Sequence, residues 1–273
     1  MRRALSLWLP LAALAVFLLF PFYWMVLTSI KPNEELVSVT ANPFWVAHPT
    51  LDHLTYLLSA TSYPRWFWNT MAVASAATAL SVSVSFLAAF ALARLRFRGA
   101  EGVSLGIYLA YLIPPAILFI PLAEVMLKLG WFDQLWALVP VYSTFLVPFC
   151  TWLLLGYFRT IPQEIEECAM VDGCTRFQAL IRIVLPVAVP GIVCAVLFAF
   201  TISWNEFIYA LTFISSTAQK TTSVGVTAEL IRGDIFYWGS LMAGAVLGSV
   251  PIVLVYVVFM DYYVSGLTQG AIK

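Results

Sequence analysis

Charged residues are scarce in this sequence. Lys, Arg, Asp and Glu make up 10% of the 273 residues, whereas a soluble domain usually carries roughly 25%. Hydrophobic residues make up 62%, which leaves too little polar surface to cover a water-soluble globule. The formal net charge is zero, so neither a basic surface for nucleic acid nor an acidic tail is evident. The composition therefore indicates a membrane protein.

Two motifs that bind ATP or a metal are also missing. The sequence has no Walker-type GxxxxGK[ST] and no HExxH, so we expect the chain not to be an enzyme and not to hydrolyse ATP itself. Its two histidines, His48 and His53, share one loop, and its four cysteines form no CxxC pair. We therefore expect no metal or cofactor on this chain, and we interpret the cysteines as small buried or loop residues.

Six long apolar runs are present, each close to or above the ~20 residues that a membrane-spanning helix needs. The first has 27 residues, more than the roughly 7–15 of a signal-peptide core, so it is expected to stay in the membrane. Pro114, Pro115 and Pro121 in the third run predict a kinked helix. The sequence thus predicts an all-α membrane protein with 1–273 as a single transmembrane domain. The expected spans are about 4–30, 66–93, 102–127, 137–158, 187–213 and 239–262, with a polar loop at 159–187.

The distribution of Lys and Arg predicts the orientation, because cytoplasmic segments carry an excess of these residues. With the N-terminus inside, nine of them are cytoplasmic: Arg2, Arg3, Arg94, Arg96, Arg98, Arg159, Arg176, Arg182 and Lys273. The other five are outside: Lys31, Arg65, Lys128, Lys220 and Arg232. We therefore expect both termini and the 159–187 segment on the cytoplasmic side.

The 159–187 segment has the pattern of two short amphipathic helices. Pro162 suits the start of the first, Gly173 allows a turn, and Thr175 can cap the second. The expected apolar faces are Ile165, Cys168 and Ala169 on the first, and Phe177, Leu180, Ile181 and Val184 on the second. Two interpretations stay open on this pattern. The segment is either a loop packed on its own protein at the membrane surface, or a docking element for a cytoplasmic partner.

The same segment resembles the signature of ABC importer permeases, which reads EAA, then Gly, then Ile-x-Leu-Pro. Here Glu167-Cys168-Ala169 is followed after three residues by Gly173 and after nine more by Ile183-Val184-Leu185-Pro186. Cys168 departs from the usual Ala but is also small. In that family this EAA loop forms the coupling helix between spans four and five, which sits in a cleft of the ATP-binding subunit. The resemblance assigns ATPase coupling to Glu167, Cys168, Ala169, Asp172, Gly173, Phe177, Ile183, Leu185 and Pro186.

Three further stretches resemble the smaller permease of maltose-type carbohydrate importers. They are Ser29–Pro32, Trp204–Glu206 and the tail Gly266–Lys273. The resemblance implies a multi-pass permease of a bacterial or archaeal plasma membrane. It also implies a second permease, two ATP-binding subunits that hold ATP and Mg, and an extracytoplasmic solute-binding protein as partners.

The expected cargo is a sugar or sugar-like solute. A non-sugar solute such as glycerol phosphate or a polyamine is the alternative, because importers for these would have a similar loop. A secondary transporter would instead show several paired intramembrane charges or broken helices in two repeats.

Candidate residues of the substrate path lie in the outer part of the fifth span. An ionisable residue within a span should face protein or water, so Glu206 could bond a polar solute or the partner permease, or only cap neighbouring groups. Trp204 could stack on a sugar or pack at the interface, and Asn205 could donate to a hydroxyl or bridge helices. The resemblance also gives Thr268, Gln269 and Gly270 as an ATPase-contacting tail. The loop 214–238 either reaches the docked binding protein or is an ordinary solvent loop.

Overall fold

The computed structural model describes residues 2–95, 97–233 and 235–268, with side chains for these residues except 2–6, 235 and 264–268. The α-helices are α1 (Arg2–Ser29), α2 (Asn33–Val37), α3 (Asp52–Ser59), α4 (Tyr63–Arg94), α5 (Ala100–Leu112), α6 (Pro115–Leu129), α7 (Leu138–Phe158), α8 (Glu164–Val171), α9 (Arg176–Ala179), α10 (Leu185–Trp204), α11 (Ile208–Phe213), α12 (Thr222–Leu230) and α13 (Trp238–Thr268). A small antiparallel hairpin pairs β1 (Ile231–Arg232) with β2 (Ile235–Phe236).

Within the described residues, five helical stretches are long and apolar enough to cross a membrane. They lie at Leu7–Ser29, Tyr63–Arg94, Leu135–Phe158, Arg176–Trp204 and Trp238–Tyr263. A sixth crossing requires α5 and α6 to count as one span, although their axes differ by 98°. The chain is therefore an essentially all-helical protein with five or six candidate membrane helices.

The break between α5 and α6 follows from two consecutive prolines. The sequence predicts a kinked helix over 102–127, but Ile113 and Pro114 are extended, with ψ of 120° and 126°. A residue before proline is pushed out of the helical region, and Pro114 and Pro115 both lack the N–H that would continue the helix. The result is a sharp bend with Pro115 starting the new helix, where its missing N–H costs nothing.

The chain divides into two compact units, and the first comprises Met1–Phe67 and Thr222–Pro251. Its core consists of Leu57, Tyr63, Trp66, Leu230 and Ala243. Gly225 of α12 lies directly against the indole of Trp66, where a Cβ would come within 2.2 Å of the ring. Glycine at this position therefore sets how closely α12 approaches α4.

The second unit comprises Trp68–Thr221 and Ile252–Lys273, and it contains the whole 159–187 segment. Here α4 packs on α7 through small polar residues. The Ser81 hydroxyl donates to Ser143 Oγ at 3.0 Å, and the Ser85 hydroxyl donates to the Val147 carbonyl at 3.0 Å. Small residues of this kind allow helices to approach closely and to hydrogen-bond within lipid. On its other sides, α7 contacts α5 and α10.

Candidate coupling site

Gly173 forms the turn between the two short helices of the 159–187 segment, which we call its first and second arms. The first arm, α8, begins at Glu164, two residues after the proline expected to start it, and ends at Val171. Gly173 has φ +92°, a left-handed conformation that L side chains rarely adopt, and a Cβ there would meet nothing within 4 Å. The predicted turn is confirmed, and its requirement for glycine is a matter of backbone conformation, since there is no steric obstacle.

A reciprocal cap starts the second arm. The Gln178 amide donates to Thr175 Oγ1 at 3.3 Å, and Gln178 Oε1 accepts from the Thr175 amide at 2.8 Å. This capping box satisfies two amides that a helix start would otherwise leave unpaired. The predicted cap by Thr175 is therefore confirmed.

The second arm is continuous with the fifth span. A π-helical turn, Leu180–Val184, joins α9 to α10, and the Leu185 amide bonds back to the Leu180 carbonyl. Pro186 follows and has no amide to offer the carbonyl four residues earlier, which favours the wider turn. The predicted arm therefore leads into α10 as one helical stretch, Arg176–Trp204.

The face that α8 buries carries a charged residue. Of the three positions of the expected apolar face, Ala169 is buried, whereas Ile165 and Cys168 are exposed. Glu166 is buried together with Ala169. Periodicity identifies apolar positions but cannot report a charged partner across a packing interface, so it does not predict the burial of Glu166.

The partner of Glu166 is an arginine from a distant helix. Arg94, the last residue of α4, donates from Nε to Glu166 Oε1 at 2.5 Å and from Nη2 to the Ile161 carbonyl at 2.7 Å. The two charged side chains are only 6% and 12% exposed. Burying a carboxylate is costly without such a partner, so the pair explains why glutamate occupies this face. Sequence reasoning missed this contact and used Arg94 only as a marker of orientation.

A cavity of about 480 Å³ lies beside this pair. Its lining carries charges of both signs, contributed by Arg94, Glu166, Glu167 and Arg176. It lies between the end of α4 and the two arms of the 159–187 segment.

The expected stripe of the second arm is buried on one side only. Leu180 and Val184 are buried, at 4% and 1% exposure, whereas Phe177 is 69% exposed and Ile181 44%. Val171, at the end of the first arm, is 86% exposed. Large apolar side chains therefore face outward on both sides of the Gly173 turn.

The other residues assigned to coupling divide by exposure. Those that face outward are Glu167, Cys168, Asp172, Gly173 and Pro186, and those that are partly buried are Ile183 and Leu185. The outward set lies on α8, at the turn and at the start of α10. The partly buried pair lies where the second arm enters α10, so it supports the segment from inside.

A G-x-S-x-G spacing also occurs in this unit, at Gly102–Gly106. In hydrolases this spacing places a serine on a sharp strand-to-helix turn. The structure instead places all five residues inside α5, so the spacing carries no nucleophile elbow.

Comparison with known proteins identifies the family. The family model described as "Binding-protein-dependent transport system inner membrane component" matches residues 81–269. The chain belongs to this family. The permease is 37% identical to the sulfoquinovosyl glycerol transport system permease protein SmoH of Agrobacterium fabrum, over 93% of this chain and 89% of the relative. It is 33% identical to the trehalose/maltose transport system permease protein MalG of Thermococcus litoralis, over 95% of this chain and 93% of the relative.

A solved structure shows the same fold. One chain of a bacterial ABC transporter involved in the import of the acidic polysaccharide alginate superposes with a TM-score of 0.81. The two chains share 18% sequence identity, and the superposition covers 95% of this permease and 96% of that chain. The resemblance to ABC importer permeases is thus confirmed, and the protein is an inner-membrane permease.

Two of the residues predicted for the substrate path of the permease, Trp204 and Asn205, contact residues of their own helix. Helix α10 ends at Trp204, which is 5% exposed and stacks on Phe200. Asn205 donates from Nδ2 to the Thr201 carbonyl at 2.8 Å. The Trp204 contact is a packing contact, and the Asn205 bond lies within its own helix instead of bridging two helices, so the path roles of both residues stay predictions.

Glu206 caps a short helix after a break in the chain. Its Oε1 accepts from the Tyr209 amide at 2.8 Å, and its Oε2 accepts from the Ala210 amide at 3.1 Å. Both amides belong to the first turn of α11, where a carboxylate is favoured by unpaired N–H groups. The stretch predicted as one span over 187–213 is therefore interrupted, with Glu206 stabilising the part beyond the break.

Asp133 forms a clasp that sequence reasoning missed. Its Oδ1 accepts from the amides of Ser215 and Ser216 at 3.0 and 2.8 Å, and its Oδ2 accepts from the Ser216 hydroxyl. The Asp133 amide in turn donates to the Phe213 carbonyl at 2.8 Å. Hydrogen bonds from the Ser216 hydroxyl and amide lower the pKa of this carboxyl below its usual value. The clasp ties the α6–α7 turn to the segment after α11.

The predicted ATPase-contacting tail lies at the end of the described chain. Thr268 is the last residue of α13, and its side chain is outside the description. Gln269 and Gly270 lie outside the described residues.

Proposed function

We propose that this permease is the membrane-spanning subunit of an ATP-driven importer, and that an ATP-binding partner docks on its 159–187 segment. The observation that carries this proposal is the exposure of Val171 and Phe177, 86% and 69%, on either side of the Gly173 turn. Apolar side chains grouped on a polar segment favour a protein partner over water. The exposed residues Glu167, Cys168 and Asp172 are available for the same contact.

The coupling mechanism is a rigid-body displacement. ATP and Mg are held by the partner subunits, and closure of those subunits moves α8 through its docked face. Because α9 runs into α10 without a loop, this movement passes directly to the fifth span. Such a step requires the partner to contact the segment more favourably in one state than in the other.

The proposed assembly has both termini of a single permease domain in the cytoplasm. It pairs this chain with a second permease and two ATP-binding subunits, and the tail at Thr268, Gln269 and Gly270 touches an ATPase. A solute-binding protein docks on the extracytoplasmic side, where the 214–238 loop meets it. A neighbour with a TM-score of 0.69 supports this last partner, since it is an alginate ABC transporter in complex with a pentasaccharide-bound periplasmic protein.

The proposed cargo is a sugar or sugar-like solute. Relatives named for sulfoquinovosyl glycerol, trehalose/maltose and diacetylchitobiose support this, because all three solutes contain a sugar. Trp204, Asn205 and Glu206 are the candidate path residues on this chain. Glycerol phosphate and polyamines are the alternative cargo.

Docking is tested by purifying the tagged permease from its native membranes in mild detergent. We expect an ATP-binding subunit to be recovered with the wild-type chain. The double variant Val171→Ser/Phe177→Ser should recover much less of it. Val39→Ser is the matched control, since Val39 is 100% exposed elsewhere on the chain. Recovery without any ATPase from the wild type, or equal recovery from the double variant, would contradict the proposal.

Cargo is tested in proteoliposomes that contain the complete transporter and its binding protein. We expect unlabelled disaccharides to compete with uptake of a labelled disaccharide, and glycerol phosphate and spermidine not to compete. Uptake of glycerol phosphate or of spermidine would instead establish the alternative cargo. Uptake driven by an ion gradient without ATP would contradict the importer class itself.

A further inference from the structure

The ion pair between Arg94 and Glu166 links α8 to a helix far away in sequence. The two residues are 72 positions apart, and Arg94 is the last residue of α4. Helix α8 also contacts α9 and the π-helical turn, but these follow it directly in the chain. The pair is therefore a bond through which α8 holds the end of the second span.

Arginine suits this position better than any other cation. Its planar fork reaches two acceptors at once, Glu166 Oε1 and the Ile161 carbonyl, at 2.5 and 2.7 Å. Ile161 lies before α8 and Glu166 lies within it, so the guanidinium fixes both the entry and the body of the helix. A lysine would keep the charge but would present a single point donor in place of the fork.

We propose that Arg94 is a positioning residue that transmits displacement of α8 to α4. This inference rests on the proposed function, in which an ATPase moves α8. Displacement then reaches the membrane by two routes. One follows the chain itself, past the Thr175 cap and through the π-helical turn into α10. The other is the Arg94–Glu166 pair, which makes α4 follow the same movement.

The pair lies beside a cavity of about 480 Å³ between α8 and the end of α4. The buried pair resists separation, because breaking it would leave two unpaired charges on side chains that are only 6% and 12% exposed. The two helices are therefore expected to shift together.

The competing explanation is a static pair that only stabilises the fold. The two differ in what they predict for energy coupling. Loss of a static pair lowers stability or assembly but leaves the number of solute molecules moved per ATP unchanged. Loss of a transmitting pair lowers that ratio in complexes that still assemble and hydrolyse ATP.

The test uses the complete transporter in proteoliposomes and measures solute uptake and ATP hydrolysis in the same sample. Arg94→Gln and Glu166→Gln should keep their ATPase subunits and should lower solute moved per ATP by about fivefold or more, the lower end of typical coupling between sites. Arg94→Lys should fall between these variants and the wild type. The matched controls, Arg98→Gln and Glu101→Gln, change exposed residues outside the 159–187 segment and should behave as the wild type.

If Arg94→Gln fails to fold, the double variant Arg94→Gln/Glu166→Gln carries the test, because it buries no lone charge. An unchanged ratio in the assembled variants, or loss of the ATPase subunits from all of them, would overturn the inference. If the wild-type complex itself shows no ATP-dependent uptake, the proposed function has failed. If the wild type shows normal uptake and the variants move as much solute per ATP as the wild type, only this inference has failed.

Discussion

Two glutamates of this permease show how differently a carboxylate can be used in a membrane helix bundle. Glu166 bonds to a side chain 72 residues away, on another helix. Glu206 accepts from backbone amides three and four residues ahead, and its carboxylate also lies beside the Tyr142 hydroxyl of α7. A change at Glu206 therefore acts first on the cap of its own helix, whereas a change at Glu166 breaks an ion pair between two helices. The comparison shows that the partner of a carboxylate, a neutral group or a distant cation, decides which elements its loss affects.

The sharpest test of this comparison replaces each glutamate by glutamine. Glu166→Gln should lower solute moved per ATP by about fivefold or more, the size expected for lost coupling. Glu206→Gln should cost about 1 kcal/mol of local helix stability, as for other weakened caps, and should leave that ratio near the wild-type value. The measurement is uptake and hydrolysis in proteoliposomes. A large loss of uptake in a stable Glu206→Gln variant would place this residue in the substrate path instead.

Gly173 allows a second test, since it sets the angle between the two arms. Gly173→Ala should cost about 1–2 kcal/mol, because alanine is strained in a left-handed conformation. We expect lower recovery of the ATPase subunit in pull-down experiments. Gly156→Ala is the control, because a Cβ at Gly156 also meets nothing within 4 Å but the residue lies in ordinary helix. Equal recovery for both variants would show that the turn geometry does not matter for docking.

The cap at Thr175 should give a smaller, local effect. Thr175→Ala removes the hydroxyl that accepts from Gln178 and should destabilise the start of α9 by about 1 kcal/mol. Hydrogen exchange of the amides at 177–181 should become faster. Thr212→Ala is the control, because its exposed hydroxyl only bonds back to the carbonyl of Ile208. Unchanged exchange at 177–181 would mean that α10 alone holds the second arm in place.

Asp133 is expected to give the smallest effect, because it is exposed to solvent. The pKa of Asp133 is lowered by hydrogen bonds from Ser216. The ionised clasp therefore stabilises the folded protein at pH values above 3.8, the ordinary pKa of the carboxyl. That stabilisation is lost as the pH falls through and below 3.8 and the carboxylate is protonated. Hydrogen exchange of the amides at 215–216, compared at equal pH with Asp133→Asn, should differ at pH 6, and the difference should shrink as the pH is lowered progressively below 3.8. Asp52→Asn serves as control, and a difference that does not depend on pH would contradict the assignment.

Local features of the coupling site could be predicted from the sequence, and long-range ones could not. The Gly173 turn and the Thr175 cap depend on neighbouring residues, so the sequence contains all that determines them. The burial of Glu166 depends on Arg94, and no periodicity reports a partner 72 residues away. The six apolar runs indicated the membrane helices, but the 98° bend at Pro114 and the break before Glu206 were underestimated. A proline or a capping carboxylate inside an apolar run permits an interruption without requiring one.

The native cysteines offer the most direct test of the central claim, that an ATPase docks on the 159–187 segment. Cys168 on α8 is exposed, Cys174 is partly buried, and Cys150 and Cys194 are buried. With Cys174 replaced by serine, a membrane-impermeant maleimide reports on Cys168 alone. We predict rapid labelling of the permease alone, only from the cytoplasmic side, and protection in the assembled transporter. Equal labelling with and without the ATPase subunits, or labelling from the outside, would contradict the account.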